Sequence, residues 1–147
     1  MNKVPLVLDT CALSDWDFLR WLRSYHEKKV ISPIVYMEFS LHMLKKGKEH
    51  HEIRKLLTGA GIEITSFDLE NAQVAANYML DAGDRFRCGC CGNINWNDCL
   101  IAAHAPLPPY VFVTENVKDY HSLLDEKRIR APKEIMYPGR RNERSAD

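Results

Sequence analysis

The sequence predicts an α/β protein, a three-layer α/β/α sandwich built on a central, mostly parallel sheet. Two observations lead there. Short apolar runs at Val4–Leu8, Val30-Ile31, Ile62–Thr65 and Tyr110–Thr114 have the length and composition of buried strands. Segments with helical spacing of apolar residues separate these runs, which is the pattern of βαβ units with helices on both sheet faces.

Taken in order, Val4–Leu8 is a strand ending in Asp9-Thr10. Ser14 is the expected cap of a helix through Phe18, Leu19, Trp21 and Leu22 to about Tyr25. After the short strand Val30-Ile31, Ser32-Pro33 supplies a cap and a first-turn proline. The helix it opens should bury Ile34, Met37, Leu41 and Leu44, and Lys45-Lys46-Gly47 should stop it. Glu49 to Leu57 reads as a polar helix, the hairpin partner of the one before, and Ile62–Thr65 as a strand after Gly59-Ala60-Gly61. A helix over about Leu69 to Leu80 should turn Ala72, Ala75, Ala76 and Met79 inward. Gly83 to Asn95 reads as irregular, Asn97–Ala105 as a helix ended by Pro106, and Tyr110–Thr114 as a strand. A short helix over Tyr120–Leu124 and a last strand at Glu134–Met136 complete the expectation.

With 147 residues the chain is expected to form one domain, residues 1–137, burying roughly two-thirds of its unfolded surface. The tail 138–147 has Ala146 as its one apolar residue and is expected to be disordered. A formal net charge of +0 gives no global field toward nucleic acid or membrane, so polyanion binding must rest on local patches. Any such binding should then rest on few phosphate contacts, with a modest salt slope. The first apolar run is too short for a signal peptide or membrane span, so a cytoplasmic location and no membrane partner are expected. Five cysteines, an odd number, argue against a closed disulfide framework.

Acidic and amide residues stand beside or inside the apolar runs. Asp9 ends the first strand, and Glu38 lies within Ile34-Val35-Tyr36-Met37-Glu38-Phe39. Asp98 opens Asp98-Cys99-Leu100-Ile101-Ala102-Ala103, and Asn116 and Asp119 follow the strand ending in Thr114. An isolated buried carboxylate costs several kcal/mol, so several together point to a shared metal. Each also has a plainer reading, as a cap, a helix-dipole complement or a turn. Glu38 resists it, because it stands four residues after Ile34 and three before Leu41 on the face expected to be buried. Oxygen ligands suit Mg²⁺ or Mn²⁺ and phosphodiester hydrolysis, and no paired-histidine motif favours zinc.

The order strand-Asp9-Thr10, Glu38 in a helix, Asn97-Asp98-Cys99-Leu100-Ile101-Ala102-Ala103-His104-Ala105 and Thr114-Glu115-Asn116-Val117-Lys118-Asp119-Tyr120 resembles the PIN-domain ribonucleases. It is closest to the VapC-type toxins of toxin–antitoxin pairs, and the likeness spans about Val4 to Met136. The resemblance implies a Mg²⁺- or Mn²⁺-dependent endoribonuclease with Asp9, Glu38 and Asp98 as metal-binding carboxylates. It offers Asn116 and Asp119 for a fourth place. Asp119 is favoured as the charge and metal ligand, and Asn116 as a positioner of water or phosphate. Thr114 would hold that loop or position the nucleophilic water. The family further implies a homodimer silenced by a small antitoxin. Two features depart from its pattern: the segment Arg87-Cys88-Gly89-Cys90-Cys91-Gly92-Asn93 and the tail beyond Gly139.

Cys88, Cys90 and Cys91 form one cluster where a closed zinc site draws on two separated pairs. A surface loop in a reducing compartment is therefore preferred over a soft-metal site or redox switch, and Cys11 and Cys99 read as small packing residues. His104 is expected to be packed, and Trp96 either packs or stacks an unpaired base. Rival readings are an inactive PIN-like module that binds RNA or protein, and a PIN nuclease of RNA processing or DNA. A haloacid-dehalogenase phosphatase would need Asp where Cys11 stands, and a receiver domain would need more than Asp68 after its middle strand.

Overall fold

The structure, a computed structural model, describes residues 4–82, 96–105 and 109–139. Five strands, β1 (Leu6–Leu8), β2 (Lys29–Ile31), β3 (Ile62–Ile64), β4 (Val111–Val113) and β5 (Ile129–Arg130), form one sheet in the order β3-β2-β1-β4-β5. Every pairing is parallel. Leu6, Val7 and Leu8 are all buried, as expected of a central strand covered on both faces. The right-handed crossover rule puts the helices that connect β1 to β2 to β3 on one face and those that return the chain from β3 to β4 on the other, which gives the three layers. The last helix, Pro132–Met136, packs against the helix Trp16–Trp21. The chain runs outward from β1 through β2 to β3, then returns to the other side of β1 at β4. The switch point therefore lies between the carboxyl ends of β1 and β4, where such sheets hold ligands.

The helices begin where local chemistry starts them. Asp9 caps α1 (Thr10–Leu13), accepting from the Thr10 N–H at 2.7 Å. Asp15, and not Ser14, caps α2 (Trp16–Trp21) through a 3.1 Å bond from the Phe18 N–H. Ser14 instead closes α1, which is too short for an apolar periodicity to register. A 3-10 turn, Leu22–Ser24, then completes α2. Ser32 caps α3 (Pro33–Lys45) at the Val35 N–H, with Pro33 at the first helical position. Gly47, at φ +85°, ends it: the Lys48 N–H reaches Met43 O at 3.1 Å and the Gly47 N–H reaches Leu44 O at 2.9 Å. The helices α4 (His50–Gly59), α5 (Leu69–Ala82), α6 (Trp96–Ala103) and α7 (Pro132–Met136) follow.

Four further expectations are corrected. The buried residues of α3 are Val35, Phe39, Ser40 and Met43, whereas Met37 and Leu41 are each 54% exposed and Leu44 40%. Apolar residues lie on more than one side of this helix, so spacing alone does not choose its inner face. Along α5, Ala75 is buried and Val74, Tyr78 and Met79 are half-buried, while Ala72 and Ala76 face solvent. The helical turn after β4 covers Val117–Tyr120 instead of Tyr120–Leu124. The last strand is Ile129–Arg130, and Glu134–Met136 belongs to α7, opened by Pro132 and by the Ala131 N–H bonding to Glu134 at 3.2 Å. The expectations for Gly83 to Asn95, including Cys88, Cys90 and Cys91, and for the tail from residue 140 lie outside the described residues.

Lys29 starts β2 with its ammonium buried, donating to Leu22 O and Tyr25 O at 2.7 Å each. These carbonyls end α2 and its 3-10 turn, where a cation is favourable. Gly61 sits against it at φ +75°, and a Cβ there would lie 2.8 Å from Lys29 Nζ. Gly61→Ala should therefore lower stability by about 1–3 kcal/mol, combining left-handed strain with displacement of the lysine. Thermal melting measures this, and an unchanged midpoint would refute the tight approach.

Candidate active site

The switch point sets two backbone segments side by side. The Asp9 N–H donates to Val113 O at 2.9 Å, and the Thr114 N–H to Arg130 O at 2.9 Å. Asp9 and Thr114 thus leave adjacent strands at the same sheet edge. Thr114, fully buried, donates its hydroxyl to Asp9 Oδ2 at 2.8 Å and accepts from the Asn116 N–H at 3.1 Å. One hydroxyl thereby orients the carboxylate and closes the turn after β4.

Two helices bring the other acids. Glu38, in the second turn of α3, accepts from Thr10 Oγ1 at 2.7 Å through Oε1 and from Asn97 Nδ2 at 3.3 Å through Oε2. Asp98, near the start of α6, accepts from the Tyr120 hydroxyl at 3.1 Å. Cys11 completes the ring: its thiol donates to Asp9 Oδ2 at 3.4 Å, lies 3.4 Å from Thr114 Oγ1, and accepts from the Glu115 N–H at 3.2 Å.

The electrostatics are those of crowded acids. Burial raises the pKa of Asp9, Glu38 adds to it, and the bonds from Thr114, Thr10 and Cys11 oppose it. Asp98 is pushed up to about 6, by burial first and then by Asp9, Asp119 and Glu38, against the bond from Tyr120. Burial, then Asp9 and Asp98, hold the Tyr120 phenol protonated, far above its usual range. Burial also raises the Cys11 thiol, so it serves as an S–H donor.

This donor set fits a hard divalent cation. Its acceptors are carboxylate oxygens, and a cation would offset both the burial of Asp98 and the repulsion from Asp9, Asp119 and Glu38 that raise its pKa. Among the described residues no three acidic, histidine or cysteine side chains close tightly enough to clasp an ion outright. Mg²⁺ and Mn²⁺ keep several waters and take one or two carboxylates directly, so they do not require such a clasp.

Of the residues singled out in the sequence, Asp9, Glu38, Asp98 and Thr114 gather at this edge. Asp119, exposed in the turn after β4, lies near enough for its charge to act on Asp98. Asn116 is also exposed and contributes its backbone N–H to Thr114. Glu38 flanks the buried face of α3 and does not lie on it. Sequence reasoning passed over Thr10, Asn97 and Tyr120 as partners of the acids. For Thr10 and Asn97 the available signal was adjacency to Asp9 and Asp98. Cys11 belongs to the polar network, whereas Cys99 is a buried packing residue.

His104 is packed as expected, sharing a 2.7 Å hydrogen bond with Thr65 Oγ1, and burial lowers its pKa. Trp96, the first residue of α6, is 44% exposed. A cavity of about 490 Å³ lined by Val4, Leu6, Val111 and Met136 lies at the amino ends of β1 and β4, and none of the clustered acids borders it.

The PIN domain family model matches residues 6–107. Among solved structures, the DNA-bound VapBC from Salmonella typhimurium is similar, with TM-score 0.59 and 19% identity over 88% of this chain and 98% of the matched chain. VapBC2 from Rickettsia felis, bound to a DNA fragment from its promoter, gives TM-score 0.60 and 21% identity over 87% and 98%. At these identities the likeness is one of fold. No curated protein sequence matches the chain.

Proposed function

The chain belongs to the PIN domain family, and from that premise we propose that it is a Mg²⁺- or Mn²⁺-dependent endoribonuclease, the toxin of a toxin–antitoxin pair. The observation that carries the reading is the carboxylate cluster at the sheet's switch point, where Asp9, Glu38 and Asp98 are gathered by hydrogen bonds from Thr114, Thr10 and Tyr120. Asp9, Glu38 and Asp98 would hold the cation, with Asp119 as the fourth charge. A cation there supplies charge neutralisation on the phosphate and a more acidic water.

The chain's own groups do the rest. Thr114 and Cys11 fix Asp9, Thr10 and Asn97 fix Glu38, and Tyr120 reaches Asp98. All are neutral donors, so they orient the acids without cancelling the charge a cation needs. Asn116, exposed beside this edge, would position water or a phosphate oxygen. The nuclease domain spans residues 1–137 in this reading.

A protein partner has support from two sides. The two fold neighbours described above are VapBC structures. The exposed stripe Met37, Leu41 and Leu44, next to Glu38 on α3, offers an apolar surface to an antitoxin segment or a second copy in a homodimer. No helix among the described residues is long and apolar enough to cross a membrane.

Incubation of purified protein with a mixed panel of structured RNAs, with Mg²⁺ or Mn²⁺ and with chelator, tests the reading. Cutting that requires the metal and stops with chelator is expected. Folded protein that neither cuts nor binds metal would instead be a non-catalytic module.

A further inference from the structure

We propose that Tyr120 is a positioning residue of the carboxylate cluster: its buried hydroxyl fixes the rotation of the Asp98 carboxylate and so sets the affinity of the site for its cation. This rests on the metal-nuclease reading and deepens it. Tyr120 is fully buried, and its ring lies 4.7 Å from that of Phe112 in the middle of β4, tilted at 51°. Those ring contacts need only a phenylalanine. The hydroxyl is the addition, and a buried hydroxyl needs a polar partner. Here the partner is Asp98 Oδ1, at 3.1 Å and 22 residues away.

The choice of partner has consequences. A phenol contributes one hydrogen and no charge, so it can pin a carboxylate oxygen while leaving the negative charge intact. Lysine or arginine at that place would neutralise the acid and compete with a cation. The phenol is itself held by its ring and by the short 3-10 turn Val117–Tyr120, so the donor stands on a rigid support. The same turn carries Asp119, whose charge acts on Asp98. Pinning Asp98 through Tyr120 therefore also ties its orientation to the segment that carries Asp119.

Tyr120→Phe tests this, because it removes the oxygen and keeps the ring. Mn²⁺ binding by calorimetry is read in wild type and variant, together with the Mn²⁺ half-saturation of RNA cleavage and the melting midpoint. Loss of an outer partner of a metal ligand is expected to weaken Mn²⁺ binding by about 10- to 100-fold. The Mn²⁺ needed for half-maximal cleavage should rise in step, while kcat recovers at saturating Mn²⁺ and the variant stays folded. A hydroxyl that merely filled the core would move the melting midpoint and leave Mn²⁺ affinity unchanged, and that result overturns the proposal. Wild-type protein that takes up no Mn²⁺ sinks the nuclease reading and the positioning role with it. The two failures are read in different proteins.

Discussion

Asp9→Asn should lower kcat for RNA cleavage by about three orders of magnitude or more while the protein stays folded. Asp9 leaves β1 at the switch point with its N–H bonded to Val113 O, so its backbone is set by the sheet and not by its side chain. Asparagine retains one side-chain oxygen for the Thr10 N–H that now reaches Asp9 Oδ1. Its amide nitrogen would meet the Thr114 hydroxyl and the Cys11 thiol, both of which can turn to accept. Fold and hydrogen bonds therefore survive, and the negative charge does not. Glu38→Gln and Asp98→Asn should behave alike, because Thr10 and Tyr120 can bond to an amide oxygen as they do to the acid. The measurement is single-turnover cleavage at saturating Mg²⁺, paired with a melting curve for each variant. An Asp98→Asn protein that cuts at the wild-type rate would remove that residue from the site.

The sheet was legible because its central strands are buried on both faces. Leu6–Leu8 and Val111–Val113 lie within continuous apolar runs, and such runs rarely serve any other purpose at that length. The strand β5, two residues long, is too brief to carry any pattern, so Glu134–Met136 was read in its place. The start of α3 could be read from Ser32-Pro33, since capping is local chemistry. Its inner face could not, because Met37, Leu41 and Leu44 repeat at helical intervals of four and three residues, and Val35, Phe39 and Met43 at intervals of four. Only the neighbouring elements decide which set is covered.

The acids of the site were legible for a related reason: charge beside an apolar run needs an explanation, whatever the tertiary structure. Their partners were not. Thr114 meets Asp9 across 105 residues and Thr10 meets Glu38 across 28, distances at which no local rule pairs a hydroxyl with a carboxylate. Tyr120 was hidden further, since a tyrosine after a turn reads as core, and its ring is indeed core. What distinguishes it is one oxygen atom and the atom that oxygen touches.

Divalent cation should stabilise the wild-type protein strongly at pH 7.5 and weakly at pH 5. The cause is the Asp98 carboxyl, pushed up to about 6 from 3.8. A raised folded-state pKa means that the folded protein holds this proton more tightly than the unfolded chain. The contribution to stability is full below about pH 4 and is lost as pH rises through about 6. Such a displacement is worth at most about 3 kcal/mol, and the partial exposure of Asp98 reduces the expected loss to about 1–2 kcal/mol. Above that window the site is ionised and strained by its own charge, which is the state a cation would bind. At a concentration about 100 times its Kd, Mg²⁺ or Mn²⁺ should contribute about 2.7 kcal/mol. In a domain of this size that raises the melting midpoint by about 5–10 °C. At pH 5 the proton competes for Asp98 and the increment shrinks. Asp98→Asn removes both effects together: free of cation, the variant should melt above wild type at pH 7.5, and added cation should move it little. Calorimetric melting of both proteins at the two pH values, with and without Mg²⁺, measures the set. Equal wild-type midpoints with and without cation at pH 7.5 would mean that the clustered acids are held apart by the fold itself and have no need of an ion.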